Sequence, residues 1–465
     1  MTTTPLSEIQ APAAPKYQRT VITTARRKAP EPAPAQLALS RPDVQGLSKA
    51  LKDTDWYARQ RLAAWKVYES LPMPSLTEDA WRRTDIRPFK WDRVELPEAS
   101  ARPGRPVPAS LLKPLVGRKQ GGLLVVANGH AVEAKLDPSL KRGKVVLTDF
   151  RTAARKHAEL LQKYLGKTVP VTDGKFAALA ATLADSGLLV YVPKGVQLEL
   201  PLHSVAWLTG PAHFSRVVIV VDDGASATVV HETASPANVT DQALHAGTVE
   251  VRVGKGAHLT FVELQSLGPS VWNFTHERVR VERDGKLDWI FSAVGSHLTK
   301  NFSEIDLDGE GSTGKMSGFY FANGDQHLDH DTQQNHNAPH TTSDLLFKGA
   351  LRDKSRSVWQ GMIYVAPGAQ KADGYQANRN LVLSRGARAD SIPGLEILAD
   401  DVRCTHGATV GQLDEEQIFY LLSRGMPRAE AQKVVVDGFF DPVLQRIPFE
   451  GVRDRLKHAI ESKMG

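Results

Sequence analysis

Thr248-Val-Glu-Val-Arg-Val253, then Lys255-Gly-Ala257, then His258-Leu-Thr-Phe-Val-Glu-Leu264 is the passage on which the fold turns. In its first run, valines alternate with Thr, Glu and Arg, which gives a strand one apolar and one polar face. The glycine joint is followed by a small residue and at once by a new strand. The same unit recurs in both directions, in β-like runs at 188–193, 216–223, 227–232, 278–283, 288–294, 317–324 and 380–384. The joints recur too, as Asp223-Gly-Ala225, Asp284-Gly-Lys286, Pro367-Gly-Ala369 and Arg385-Gly-Ala387. Strong helix signals are almost missing between them. Hairpins at fixed short spacing would not give this pattern, nor would βαβ units. A coil of strands does, because every rung makes the same turn and stacks only on its neighbours. The reading is a mainly β chain with a solenoid core over 186–410; a β-sandwich or jelly roll is the alternative this pattern leaves open.

The flanks have a different character. Residues 1–44 are rich in Ala, Pro and Thr, a composition that cannot bury enough apolar surface to offset its ordering entropy, so a disordered tail is expected. Its basic residues (Lys16, Arg19, Arg26, Arg27 and Lys28) outnumber Glu8 and Glu31, as in an organelle transit peptide, but its prolines oppose the amphipathic helix such a peptide needs. Residues 45–185 read as a mixed α/β domain that opens with a helix from Gly46 to Tyr68, with Leu51, Trp56, Leu62, Trp65 and Tyr68 on one face. Past residue 410 the helical period returns. Asp414 with Gln417 makes a capping-box start, Gly425 a stop, Pro427 a second start, and Phe449 to Lys463 a third helix. These helices either cap the solenoid or offer an apolar face to a partner.

Composition excludes several classes. The longest aliphatic stretch, Val217–Val221, is far too short to cross a bilayer, and no signal peptide opens the chain, so a cytoplasmic, non-membrane protein is expected. The 58 Lys+Arg are interleaved with 52 Asp+Glu, without the basic stripe and aromatic platforms of a nucleic-acid protein. The single cysteine, Cys404, excludes a disulfide framework and any all-cysteine metal site built from this chain alone.

Three stretches suggest chemistry. Asp308-Gly-Glu-Gly-Ser-Thr-Gly-Lys-Met316 imitates a phosphate loop, but Met316 stands where Ser or Thr should hold Mg²⁺ and a strand follows in place of the helix; it reads as a turn between rungs. His327, His330, His336 and His340 lie among aspartates, yet Pro339 denies them a helical frame, so hydrogen-bonded ladder histidines are the better reading. In Arg403-Cys-Thr-His406, Cys404 and His406 fall on one face of a strand, roughly 7 Å apart. A thiolate and an imidazole suit iron, but two ligands cannot complete a tetrahedral site, so the metal would be shared with sulfide, water or another chain.

Further motifs surround that pair. Gly374-Tyr-Gln-Ala-Asn-Arg-Asn-Leu-Val-Leu-Ser384, Pro393 through Gly411 with its Cys-Thr-His-Gly-Ala-Thr core, and Asp414-Glu-Glu-Gln-Ile-Phe-Tyr-Leu-Leu-Ser-Arg-Gly425 together closely resemble the SufB/SufD family of iron–sulfur cluster assembly scaffolds. Lys348-Gly349 and Trp359-Gln-Gly361 extend the likeness, and Glu78-Asp-Ala-Trp-Arg-Arg-Thr-Asp85 is similar to the SufD branch. SufB chains generally carry additional cysteines that accept sulfur, and this chain has none. The resemblance implies a right-handed parallel β-helix between helical ends. It further implies a dimer with a SufB-like paralogue and a SufC-like ATPase docked on the C-terminal helices, through residues such as Phe419, Tyr420, Phe439 and Phe440. A transient iron–sulfur cluster, or iron alone, would sit at the SufB interface with His406, and Cys404 beside it, as this chain's contribution. The alternatives are a SufB-like scaffold, a carrier of finished clusters and a β-helix enzyme acting on polysaccharide; the last should show paired carboxylates along one solenoid face and a secretion signal.

Overall fold

The structure is a computed structural model and describes residues 35–96, 105–116, 119–237 and 242–464. Of the expected tail, residues 1–34 lie outside the described residues, while Leu37 and Leu39 are already buried. Helix α1 (Arg41–Leu51) starts at a Ser40–Asp43 capping box, so ordered chain begins ahead of residue 45. The helix expected from Gly46 to Tyr68 is two. Lys52 adopts a left-handed conformation after α1, and α2 (Asp55–Ser70) follows. Nor is the buried face of α2 the expected apolar one, because Arg61 lies on it. Arg61 pairs with Asp53 at 2.9 Å and donates to the carbonyls of Thr182 and Ala184. Those carbonyls close a later helix, where a cation complements the negative end of the helix dipole.

Between α2 and the solenoid come β1 (Gly122–Ala127), β2 (His130–Leu136), α3 (Pro138–Arg142), β3 (Val146–Asp149), α4 (Phe150–Lys156), α5 (Ala158–Tyr164) and α6 (Lys175–Leu183). All nine residues of α6 are buried. Its alanines bring the backbone close to the sheet beneath, where Phe176 stacks on Phe274 at 3.9 Å.

The solenoid strands are β4 (Ser186–Val192), β5 (Leu202–Trp207), β6 (Ala212–Val221), β7 (Ser226–Ala234), β8 (Ala243–Val253), β9 (His258–Ser266), β10 (Val271–Val281) and β11 (Lys286–Ala293). They continue as β12 (Leu298–Leu307), β13 (Thr313–Ala322), β14 (His327–His336), β15 (Thr342–Leu351), β16 (Arg356–Val365), β17 (Asp373–Val382), β18 (Arg388–Ile397) and β19 (Arg403–Gln412). Odd-numbered strands from β5 to β19 join β1 and β2 in a ten-stranded sheet; even-numbered strands from β4 to β18 join β3 in a nine-stranded sheet. All pairs from β4 onward are parallel, as a β-solenoid requires. Gly224 and Gly256 turn the chain with φ of +64° and +60°, whereas at the next joint Asp284 takes the left-handed position at +55°. The phosphate-loop imitation is the turn from β12 to β13, with Met316 buried in the core.

Parallel register stacks side chains in columns that face either the lumen or the outside. One lumen column of the ten-stranded sheet runs Val229, Phe261, Trp289, Met316 and Leu345. Ile219, Val251, Val279 and Ile305 face them from the other sheet. On the outside of the ten-stranded sheet, Phe319 and Phe321 pack against Phe440 of the C-terminal helices α7 (Glu415–Ser423), α8 (Arg428–Leu444) and α9 (Glu450–Met464). The helices thus line the flank of the solenoid and do not cap its end. The Asp414 cap bonds Glu416 N at 2.9 Å, one residue short of the expected capping box.

Candidate functional site

The two ends of the solenoid are finished differently. At the N-terminal end the sheets close with antiparallel strands, β2 beside β1 and β3 beside β4, which blunt the edges. At the other end β18 and β19, each of ten residues, are the last strands of their sheets, and β19 is exposed almost throughout. Such an edge presents a row of unpaired N–H and C=O groups to any further strand.

Register shows what lies on that edge. His406 stands opposite Gln376, which stands opposite Leu345, so His406 is the last member of the lumen column of Trp289 and Met316. Cys404 ends the neighbouring lumen column, after Leu287, Gly314, Ser343 and Gly374. From the facing sheet, Leu395 and Ile397 end the columns of Ile363 and Val365. Core positions are thereby exposed: Leu395 by 36%, Ile397 by 38% and Val410 by 50%. The expected pair does share a face, and that face is the one a following rung would bury.

A polar floor lies one rung below. In Gly374-Tyr-Gln-Ala-Asn-Arg-Asn380 the alternation turns Gln376, Asn378 and Asn380 into the lumen, and all three are buried. Gln376 Nε2 donates to Gly394 O at 2.9 Å and so ties the two sheets together beneath His406. Asn380 Nδ2 donates to Asn378 Oδ1 at 2.6 Å and to Ser391 Oγ at 3.0 Å, and Asn378 Nδ2 reaches Tyr320 Oη at 3.1 Å. Gly361 has no side chain because a Cβ there would meet Trp359 at 2.2 Å and Gln376 Oε1 at 2.5 Å. Half-buried Cys404 touches the apolar group of Ile363 and Ala372; burial pushes its thiol up, against a backbone hydrogen bond with Gly374 that lowers it. No group of three or more His, Cys, Asp or Glu side chains able to hold a metal ion occurs among the described residues, so this edge offers two donors and needs others to complete a site.

The histidine run divides between the two faces of β14. His330 and His336 point into the lumen, where His336 bonds Thr341 Oγ1 at 2.7 Å and Ser343 Oγ at 2.8 Å, while His330 packs against Phe291, Tyr320 and Phe347. His327 faces outward to Thr84 at 2.9 Å. There Thr84 also bonds Asp329, Lys300 pairs with Asp329 at 3.0 Å, and Trp81 packs on Phe302, so the Glu78–Asp85 segment is pinned across the nine-stranded sheet.

The four aromatic residues assigned to a partner separate. Phe419 and Tyr420 of α7 are 71% and 57% exposed, whereas Phe440 is fully buried and belongs to the packing of α8 on the sheet. Phe439 and Tyr420 line an open groove of about 810 Å³ between α7, α8 and the ends of β17 and β19. Lys348 bonds the Phe439 carbonyl and sits 4.6 Å from its ring; burial lowers its amine to about 8.

These features define a parallel β-solenoid with an open terminal rung and a groove beside it. Comparison with known proteins agrees. Residues 206–439 match the model of the SUF system FeS cluster assembly, SufBD core domain, and residues 49–203 that of the SufBD protein N-terminal region. The chain is 31% identical over 438 residues to the iron–sulfur cluster assembly protein SufD of Bacillus subtilis, covering 92% of this chain and 99% of that one. It is 29% identical over 425 residues to an iron–sulfur cluster assembly SufBD family protein of Staphylococcus haemolyticus, covering 88% and 89%. The chain belongs to the SufB/SufD family of iron–sulfur cluster assembly proteins, and its likeness to SufD supports a SufD-type member. No helix among the described residues is long and apolar enough to cross a membrane.

Proposed function

We propose that this chain is a SufD-type scaffold subunit that catalyses no bond chemistry itself and works in a complex with a SufB-like paralogue and a SufC-like ATPase. In this reading the paralogue stacks on β18 and β19 as the next rung, and a nascent iron–sulfur cluster, or iron alone, is held at the junction. His406 supplies one ligand, Cys404 stands beside it, and the paralogue supplies the rest. The ATPase docks on exposed Phe419 and in the adjacent groove at Tyr420 and Phe439, and drives the opening of the junction. A cytoplasmic setting is part of the reading, since a cysteine kept for metal suits a reducing compartment. The observation that carries the proposal is the placing of Cys404 and His406 on exposed lumen columns.

The test is co-expression with SufB-like and SufC-like chains, purification on this chain, and assay of iron and sulfide with and without His406→Ala. The reading expects a three-protein complex whose cluster is lost in the variant. A chain that purifies alone sinks the complex. An intact complex whose cluster ignores His406→Ala moves the ligand to the partner, and stable stoichiometric cluster binding by the isolated chain favours a carrier.

A further inference from the structure

The last strand of the nine-stranded sheet is not held as the strands below it are. No residue of β18 is fully buried, because the lumen columns it ends have no rung beyond them. Apolar burial therefore cannot fix its distance from the facing sheet, as it does for β8 and β10, where Val251 and Val279 are buried. Polar contacts do this instead. Arg356 pairs with Asp390 at 3.1 Å, but on the outer face and within one sheet. Gln376 reaches only the backbone of β18, at Gly394 O. Among the described residues, Ser391 is the one side chain of β18 that bonds across to the ten-stranded sheet.

Ser391 ends the lumen column of Asn301, His330 and Trp359. Its Oγ donates to Asn378 Oδ1 at 2.5 Å and accepts from Asn380 Nδ2 at 3.0 Å. Asn380 Nδ2 also donates to Asn378 Oδ1, at 2.6 Å, so the three side chains close a ring. Tyr320 anchors that ring from two rungs below: its hydroxyl donates to Asn380 Oδ1 and accepts from Asn378 Nδ2 at 3.1 Å. The reach depends on Gly349, which stands between Tyr320 and Asn380 in their column. A Cβ at Gly349 would lie 1.9 Å from the Tyr320 ring, so the ring fills the place of the missing side chain. Tyr320, Asn378 and Asn380 are buried, and both amide groups are bonded at nitrogen and oxygen. A buried polar network satisfied in this way is rigid.

We propose that Ser391 is a positioning residue for the terminal rung: bonded to Asn378 and Asn380 of β17, it sets the gap between the last strands of the two sheets. The role rests on the reading of that edge as the seat of the SufB-like paralogue. One partner can add a rung to both sheets only when their separation matches its own. Without the tie, β18 keeps its backbone bonds to β16 but can swing about them. Because β17 is hydrogen-bonded to β19, the tie also fixes Leu395 and Ile397 of β18 relative to Cys404 and His406 of β19.

The test compares S391A with S391T, which keeps the hydroxyl. S391A leaves Asn378 and Asn380 bonded to each other and to Tyr320, so the full chain should hold its urea midpoint. Hydrogen exchange of the chain alone should quicken in β18 by about tenfold, the worth of one buried hydrogen bond, with β8 to β14 unchanged. Affinity for the purified SufB-like paralogue should fall by a similar factor, and S391T should restore both. Unchanged exchange in β18 overturns the tie. Faster exchange with undiminished affinity overturns the positioning role and leaves a local bond. A lowered midpoint with exchange quickened throughout the solenoid overturns it too, since the effect is then general. If the unsubstituted chain does not bind the paralogue, the reading of the edge falls and the role with it, while exchange in β18 still reports on the tie alone.

Discussion

His330 shows how a single residue ties the lumen to solution conditions. Its ring is fully buried among Phe291, Tyr320 and Phe347, and burial lowers it from 6.5 to about 4, with Asp329 opposing and Lys300 assisting. Between those values the unfolded chain binds a proton that the folded chain refuses. The residue's contribution is therefore whole above pH 6.5 and is lost as pH falls toward 4, at about 1.4 kcal/mol per unit. His330→Leu removes it. Urea unfolding at pH 7 and pH 5 should find the original chain losing about 2 kcal/mol relative to the variant over that interval; a constant difference would refute the assignment. Residue-level signals in the sequence were partial. Alternation alone puts Cys404 with His406, and Glu263 with Leu259 and Phe261, so shared faces were readable. Which face is the lumen was not, because that depends on register with strands about thirty residues away.

At the scale of elements, the C-terminal helices separate packing from docking. Phe440→Ala empties a site packed against Phe319 and Phe321 and should cost about 3–5 kcal/mol of stability. Phe419→Ala, at an exposed position, should stay within about 0.5 kcal/mol. The partner ATPase should respond in the reverse order, with Phe419→Ala or Tyr420→Ala weakening its retention in a pull-down from the folded complex. Retention unaffected by both would remove the groove from the account. The helices were legible from Asp414, Gly425 and Pro427, since caps and stops are local chemistry. Their position along the flank was not, because it follows from apolar residues on the outer face of the sheet, Phe319 and Phe321 among them, which a single strand cannot distinguish from lumen residues. The split of the first helix at Lys52 was likewise hidden: it serves the burial of Arg61 against the end of α6, a contact more than a hundred residues distant.

Over the whole molecule, the asymmetry of the two solenoid ends carries the account. One end is blunted by β2 and β3; the other leaves β18 and β19 open with lumen residues on view and an asparagine–glutamine floor beneath them. The glycine joints and alternating valines made the solenoid legible, and the motifs around Cys404 made the family so. The open end follows from where the repeat stops relative to Leu413 and α7, which only the complete stack of rungs reveals. Hydrogen–deuterium exchange of this chain, with and without the SufB-like paralogue, tests the central claim most directly. The account predicts new protection concentrated in the backbone amides of β18 and β19, with His406→Ala leaving that protection largely in place because the edge, not the imidazole, holds the partner. Protection confined to the N-terminal region or the C-terminal helices, with β18 and β19 still exchanging freely, would contradict it.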